Sequence, residues 1–271
     1  MLIAQISDTH IKTPGRLAYG QVDTSTALTA CLAHLARQDT QPDLVLFTGD
    51  LADFGTPDEY AHFKQLLAPL GLPVYLLPGN HDDREAMRAA WPDAPWARRP
   101  GRLHSVIENW PIRIICLDTL RPGSGGGHLD PEDLAWLDST LAEKPGQPTI
   151  VAMHHPPFLC GVTHMDAISL DNAPDFAAVV ARHPHIQRIL CGHLHRPIHA
   201  QVGGRPVVSA PSPAHQVALD LAPDAPSRFI MEPPGYLLHL WVPRSGLVTH
   251  TMVIGDYGAR HPFFKDGSLI D

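Results

Sequence analysis

Short apolar runs alternate with turn residues and then with stretches of helical period along this chain. The runs at 2–7 (LIAQIS), 43–48 (DLVLFT), 73–77 (PVYLL), 112–118 (IRIICLD), 149–153 (TIVAM) and 187–191 (QRILC) are apolar at consecutive positions. That pattern predicts strands covered on both faces rather than half-exposed ones. Between them, residues 23–38 place Ala27, Leu28, Cys31, Leu32 and Leu35 on one helical face, and helices are also expected over 57–67, 83–91, 131–143 and 174–183. Their starts carry the usual signals: Asp130 precedes Pro131, and Thr56 precedes Pro57 with Glu59 three residues on. This alternation predicts an α/β fold.

From about residue 204 the pattern changes to RPVVSA, YLLHLWVP and LVTHTMVI, the last two joined through RSG. These read as consecutive antiparallel strands with a tight hairpin, finishing a second sheet. No linker or internal repeat divides the chain, so one domain is expected over 1–271, with residues 201–271 supplying C-terminal strands and a cap or oligomer segment. The Pro/Gly-rich pieces at 92–101, 121–131, 156–174 and 211–235 read as long loops, where substrate contacts tend to sit on a rigid scaffold.

Composition narrows the partners. Of 271 residues, 44% are hydrophobic and 18% charged, as in ordinary globular proteins. The net charge of -8 sets a repulsive field against nucleic-acid polymers, so no such partner is expected, and a small anionic substrate would need local neutralisation. The N-terminus MLIAQISDTH has no basic region or long apolar run, so neither a secretion signal nor a membrane partner is expected and the cytoplasm is the default compartment. Cys31, Cys116, Cys160 and Cys191 form no CxxC pair and read as reduced packing residues.

The chemistry lies at the strand ends. The first run leads to Asp8 and His10 (SDTH), the second to Asp50 and Asp53 (GDLAD), and the third to Asn80 and His81 (GNHD). Later runs lead to His154 and His155 (MHHP) and to His193 and His195 (CGHLH). Taken singly each is bland: a DxH or GxH occurs by chance, and GNHD is also a turn with Asp82 or Asp83 as a helix cap. Together they matter because strand ends of an α/β sheet converge on one crevice. Two carboxylates, one amide and four imidazoles exceed the needs of a single open zinc site but suit two ions if one carboxylate bridges. Without thiolate, that donor set favours Fe, Mn, Zn or Co. Two such ions can share a water, lower its pKa and hold phosphoryl oxygens, so phosphoester hydrolysis is the natural use.

On these motifs the chain resembles the calcineurin-like metallophosphoesterase superfamily, whose DxH, GDxxD, GNH(D/E), histidine and GHxH pattern is complete between positions 8 and 195, about three quarters of the chain. ISDTH, PGNHDD, MHHPP, CGHLH, Tyr19–Gly20 and AHQ at 214–216 further resemble bacterial class III cyclic-nucleotide phosphodiesterases and related glycerophosphodiesterases. The resemblance implies a four-layer αββα sandwich of two mixed sheets. It implies that Asp8, His10 and His195 hold one ion, that Asn80, His154 and His193 hold the other, and that Asp50 bridges. His81 is then not a ligand but a group beside the ions that protonates the departing alkoxide or stabilises phosphoryl charge. Asp53 is expected to orient His81, and Tyr19, His155 and His215 to meet the substrate.

The implied activity is hydrolysis of a small phosphodiester, either a 3',5'-cyclic nucleotide such as cyclic AMP or a glycerophosphodiester. A phosphomonoesterase is the alternative. A nuclease is opposed by the acidic balance, and a non-catalytic scaffold by the intact set of costly polar groups. Family members also imply a homo-oligomer.

Overall fold

The computed structural model describes residues 1–270. In chain order the elements are β1 (Leu2–Ile6), α1 (Thr24–Ala36), β2 (Leu44–Thr48), α2 (Pro57–Leu67), β3 (Val74–Leu77), α3 (Arg84–Ala90), β4 (Ser105–Ile107), β5 (Arg113–Cys116), α4 (Pro131–Ala142), β6 (Thr149–Ala152), α5 (Thr163–Asp166), α6 (Ala173–Ala181) and β7 (Ile186–Cys191). They continue with β8 (His199–Val202), β9 (Arg205–Ser209), β10 (Gln216–Val217), β11 (Phe229–Ile230), β12 (Gly235–Val242), β13 (Gly246–Val253), β14 (Phe264–Lys265) and β15 (Ser268–Leu269).

Two mixed sheets stack face to face. One runs β13-β12-β1-β2-β3 and the other β4-β5-β6-β7-β9-β8. Alternation along β1 explains the layering: Ala4 and Ile6 pack with Leu28, Cys31, Tyr60 and Phe63 of the helices, whereas Ile3 turns inward to Leu44, Ile114, Ile150 and Leu190. On the far side, α4 and α6 cover the second sheet through Leu137, Leu141, Phe176 and Val180. The result is the expected four-layer αββα sandwich. β1, β2 and β3 are parallel, as are β5, β6, β7 and β9, so their carboxyl ends gather along one rim.

The helix starts form as their sequences dictate. Thr56 Oγ1 accepts the Glu59 N–H while Glu59 Oε2 accepts the Thr56 N–H, closing a reciprocal cap on α2. Asp83, not Asp82, caps α3, accepting the Ala86 N–H at 2.8 Å. One expectation is corrected: the β12–β13 hairpin does not finish the second sheet. β12 pairs antiparallel with β1 in the first sheet, while β9 joins β7 in parallel and β8 in antiparallel. An apolar run signals burial on both faces but not which of two apolar sheet edges receives it.

Candidate metal centre

Each motif occupies a loop leaving a strand at the common rim, and the backbone there is unusual. Asp8 (φ 58°), His10 (45°), Asp50 (51°), His193 (69°) and His195 (50°) all lie in the left-handed region. Such conformations cost about 1–3 kcal/mol each and persist only where the surroundings over-determine them. Here the loops clamp one another: Asp8 N–H donates to the Gly49 carbonyl, His10 N–H to the Asp50 carbonyl, and His193 N–H crosses between sheets to Asp8 Oδ1 at 2.9 Å. Gly79 is demanded by space, since a Cβ there would lie 2.1 Å from Asp50 Oδ1.

The side chains converge in two groups. Asp8, His10 and His195 form one, with His10 Nε2 3.1 Å from His195 Nε2 and His195 Nε2 3.5 Å from Asp8 Oδ1. In the other, Asn80 Oδ1 lies 3.1 Å from His154 Nε2 and 3.0 Å from His193 Nδ1. Asp50 Oδ2 stands between them, 3.6 Å from His10 Nε2 and 3.3 Å from His154 Nε2.

Proton bookkeeping tests whether cations fit. His10 Nδ1 faces the Asp53 carboxylate, His195 Nδ1 the His215 carbonyl, and His154 Nδ1 the Thr48 carbonyl, at 3.2, 2.9 and 2.8 Å. Each partner is an acceptor, so each Nδ1 carries the hydrogen and each Nε2 of a neutral ring presents a lone pair inward. Lone pairs of His10 and His195 then face each other, and that of His154 faces the oxygens of Asn80 and Asp50. Positive charge satisfies these contacts, a proton in the metal-free chain or a metal ion in its place, and the outward hydrogen bonds are those that orient metal-ligating imidazoles.

The electrostatics agree. Burial pushes Asp8 up to about 6, with the Asp50 charge adding to it. Burial acts the same way on Asp50, but the imidazoles of His154, His81 and His10 outweigh it and hold that carboxyl well below its usual range. Burial resists charging of His154, yet Asp50 and Asp8 drive it up to about 9. His195 is pushed down to about 3 by burial and by His10, leaving a neutral donor.

Asp53 differs from expectation. Its carboxylate engages His10 Nδ1 and, at 2.6 Å, Lys12 Nζ; burial opposes its ionisation, but these partners bring it down to about 2. His81 does meet Asp53, but more closely through the backbone: its Nδ1 is 2.7 Å from the Asp53 carbonyl and 3.8 Å from the Asp53 carboxylate, and its N–H is on Asp50 Oδ1. That leaves Nε2 of His81, a half-buried ring, free in the pocket. His155 also differs: fully buried, it does not line the pocket, and its nitrogens meet Thr119 Oγ1 at 2.7 Å and the Gly125 carbonyl at 3.2 Å.

Tyr19 and His215 do line the pocket, a cavity of about 470 Å³. Tyr19 stacks on Phe229 at 5.0 Å, and His215 meets both rings edge-on. Burial and the charges of His195 and His10 push His215 down to about 2, so it is a neutral wall. Sequence reasoning missed His164, Met165 and Ile168 from the α5 region and Arg228 and Phe229 from the β10–β11 ribbon. It also missed Asp82, whose carboxylate accepts N–H bonds from Gly79, Leu51 and Ala52 and the Tyr60 hydroxyl, tying two donor loops together.

Comparisons with known proteins bear on the family and the fold. Residues 1–197 match the calcineurin-like phosphoesterase family. A probable glycerophosphodiester phosphodiesterase GpdQ of Arcobacter nitrofigilis is 41% identical, covering 100% of both chains. The 3',5'-cyclic adenosine monophosphate phosphodiesterase CpdA of Escherichia coli K12 is 34% identical over 78% of this chain and 75% of its own. Among solved structures, a dimetal phosphatase from Danio rerio shares the fold at a TM-score of 0.63 and 13% identity, covering 94% of this chain and 99% of that one. Motifs, fold and full-length relatives converge, and the chain belongs to the calcineurin-like phosphoesterase family of metal-dependent hydrolases.

Proposed function

We propose that the protein hydrolyses small phosphodiesters at a two-ion centre, with Asp8, His10 and His195 holding one ion, Asn80, His154 and His193 the other, and Asp50 between them. The observation that carries the diester reading is the charge of the pocket wall. Arg228 is the one Lys or Arg among its described lining residues, and among the described residues its side chain makes no ion pair. A monoester dianion asks for more cationic groups than a diester, which carries one charge fewer. Relatives named as glycerophosphodiester and cyclic-nucleotide phosphodiesterases support the same reading.

When bound, the ions supply Lewis-acid polarisation of the phosphoryl oxygens and a more acidic water. The chain's own groups do the rest. His81, anchored through Nδ1, has Nε2 free in the pocket, and in its doubly protonated form it can give the Nε2 proton to the departing alkoxide and return to the neutral ring. Asp53 fixes the tautomer of His10, and the Thr48 carbonyl fixes that of His154. Tyr19, Phe229 and His215 form an aromatic cluster, with His215 edge-on to the stacked pair, in the same pocket as Met165 and Ile168. That pocket accepts the base of a cyclic nucleotide or the carbon skeleton of a glycerophosphodiester.

The donor set suits Fe, Mn, Zn or Co. Among the described residues no helix is long and apolar enough to cross a membrane. The four cysteines are unpaired, which supports a reducing compartment such as the cytoplasm. Exposed Tyr257, Phe263 and Phe264 support self-association through the C-terminal segment.

The test is a matched panel given to the manganese-loaded protein: an aryl phosphate monoester, an aryl diester, cyclic AMP and a glycerophosphodiester. Diester turnover exceeding monoester turnover is expected. Monoester preference overturns the reading, and the two natural diesters decide between cyclic-nucleotide and glycerophosphodiester hydrolysis.

A further inference from the structure

The layer between the two sheets is apolar for the most part, but it holds a group of buried polar side chains. Gln5, Thr48 and His239 are fully buried there, among neighbours such as Ile3, Leu44, Leu46 and Leu190. Gln5 Nε2 donates to Thr48 Oγ1 and to the Cys191 carbonyl, both at 2.9 Å. Thr48 is the last residue of β2 and Cys191 the last of β7, so each directly precedes a donor loop, Gly49–Asp50 or Gly192–His193. Gln5 itself lies near the end of β1, which leads to Asp8 and His10. The Thr48 carbonyl also takes the His154 Nδ1 hydrogen at 2.8 Å. One amide thus ties three donor-bearing strand ends across both sheets and adjoins the anchor of a fourth donor.

The orientation of that amide is fixed at both ends. Arg188 can only donate, and its Nη1 lies 2.9 Å from Thr249 Oγ1. The Cys191 carbonyl can only accept, so the Gln5 NH₂ faces it and Oε1 faces His239, whose Nε2–H donates at 3.0 Å; His239 Nδ1 then accepts the Thr249 hydroxyl hydrogen at 2.8 Å. A buried amide or imidazole in an apolar layer costs free energy that a leucine would not, so packing alone does not account for the trio.

We propose that Gln5 is a positioning residue for the two-ion centre, setting the separation of the donor loops on opposite sheets, with His239 and Thr249 locking the direction of its amide. This rests on the two-ion reading above, and the test separates the two. Manganese is titrated into metal-free protein and the free ion counted by its electron paramagnetic resonance signal, with urea midpoints of the metal-free chains in parallel. Wild type should bind two ions per chain, and fewer would overturn the two-ion reading itself.

The double variant Gln5→Leu, His239→Leu removes the bond between them from both sides but leaves Thr48 Oγ1 and the Cys191 carbonyl without the amide's hydrogens, so its urea midpoint should fall while the chain stays folded. It should weaken the looser ion about 10–100-fold, the usual loss when a partner of a ligand is removed. Thr249→Val, at a partly exposed position, should shift the same affinity in the same direction by about threefold, below the lower end of that range. A folded double variant with both manganese affinities unchanged overturns the proposal. Should the double variant not fold, unchanged affinities in Thr249→Val overturn it equally.

Discussion

The floor and the wall of the pocket are built in opposite ways. The floor consists of donors on short loops after central strands, nearly all inaccessible to solvent, with the outward ring nitrogens of His10, His154 and His195 tied to a carboxylate or carbonyl. The wall is a ribbon of two-residue strands, a single-turn helix and Tyr19, with Tyr19 and Arg228 exposed. A floor held on all sides preserves the reaction, whereas a loosely tethered wall is free to differ between enzymes that share that reaction. Relatives named for different diesters, matching along most or all of this chain, fit that division.

Substitutions should separate the two regions sharply. The largest effect is expected from Asp50→Ala, which removes the oxygen shared by both donor groups. Metal analysis should show loss of both ions, a larger drop than the roughly 100-fold in affinity that an outer partner of a ligand is worth. Undiminished activity after depletion and reloading would rule out the bridging assignment.

His81→Ala should keep both ions but slow hydrolysis of alkyl diesters by about 10²–10⁴-fold, the usual span for a general acid, and barely affect aryl esters with good leaving groups. Equal loss on all esters would assign His81 to charge stabilisation instead. Asp53→Asn should act on the floor from outside, weakening metal binding about 10–100-fold through His10 while His81 stays anchored on the backbone.

Beneath the floor, His239 gives a pH signature. Burial, with the Arg188 charge, pushes it down to about 3. Above pH ~6.5 the ring is neutral whether the chain is folded or not; below it, the unfolded chain binds a proton that the folded one refuses until about pH 3. Stability of the metal-free protein therefore falls on acidification through that window, by about 1.4 kcal/mol per pH unit for this group. The Gln5→Leu, His239→Leu chain should show a slope shallower by one proton in urea titrations, and an identical slope would contradict a neutral buried ring. The smallest effect belongs to the wall: Phe229→Ala should change KM by a few-fold, about the ~1 kcal/mol of an aromatic pair, and unevenly between cyclic AMP and a glycerophosphodiester.

The floor was legible because its donors follow predicted strands at fixed short spacings, so a sheet topology suffices to bring Asp8, Asp50, Asn80 and His154 together. The wall was not: two-residue strands and a four-residue helix carry no period, and nothing near Arg228 or Phe229 marks them as pocket residues. Asp53 was misdirected by proximity in sequence. Its carboxylate does come within 3.8 Å of His81, but the carbonyl makes the closer contact at 2.7 Å, while the carboxylate's short bonds go to His10 and Lys12. His155 misled in the other direction: its ring does lie beside those of His154 and His193, but Thr119 Oγ1 and the Gly125 carbonyl hold its nitrogens in the interior, away from the pocket. The sheet joined by β12 depended on which edge lay open, a property of the assembled sandwich.

The left-handed backbone at Asp8, His10, Asp50, His193 and His195 also limits what the centre can become. Asn, Asp and His are the side chains, glycine aside, that most readily accept that conformation. The same three types carry the oxygen and nitrogen donors here, so the local backbone and the coordination chemistry filter the residue alphabet in the same direction. Exchanging a donor for cysteine or glutamate, the obvious way to retune the centre for a softer or harder ion, meets a conformational barrier before any question of ligand affinity arises. Retuning is open mainly through the residues that hold the donors from behind, such as Asp53, Asp82 and Thr48, whose φ angles carry no such restriction.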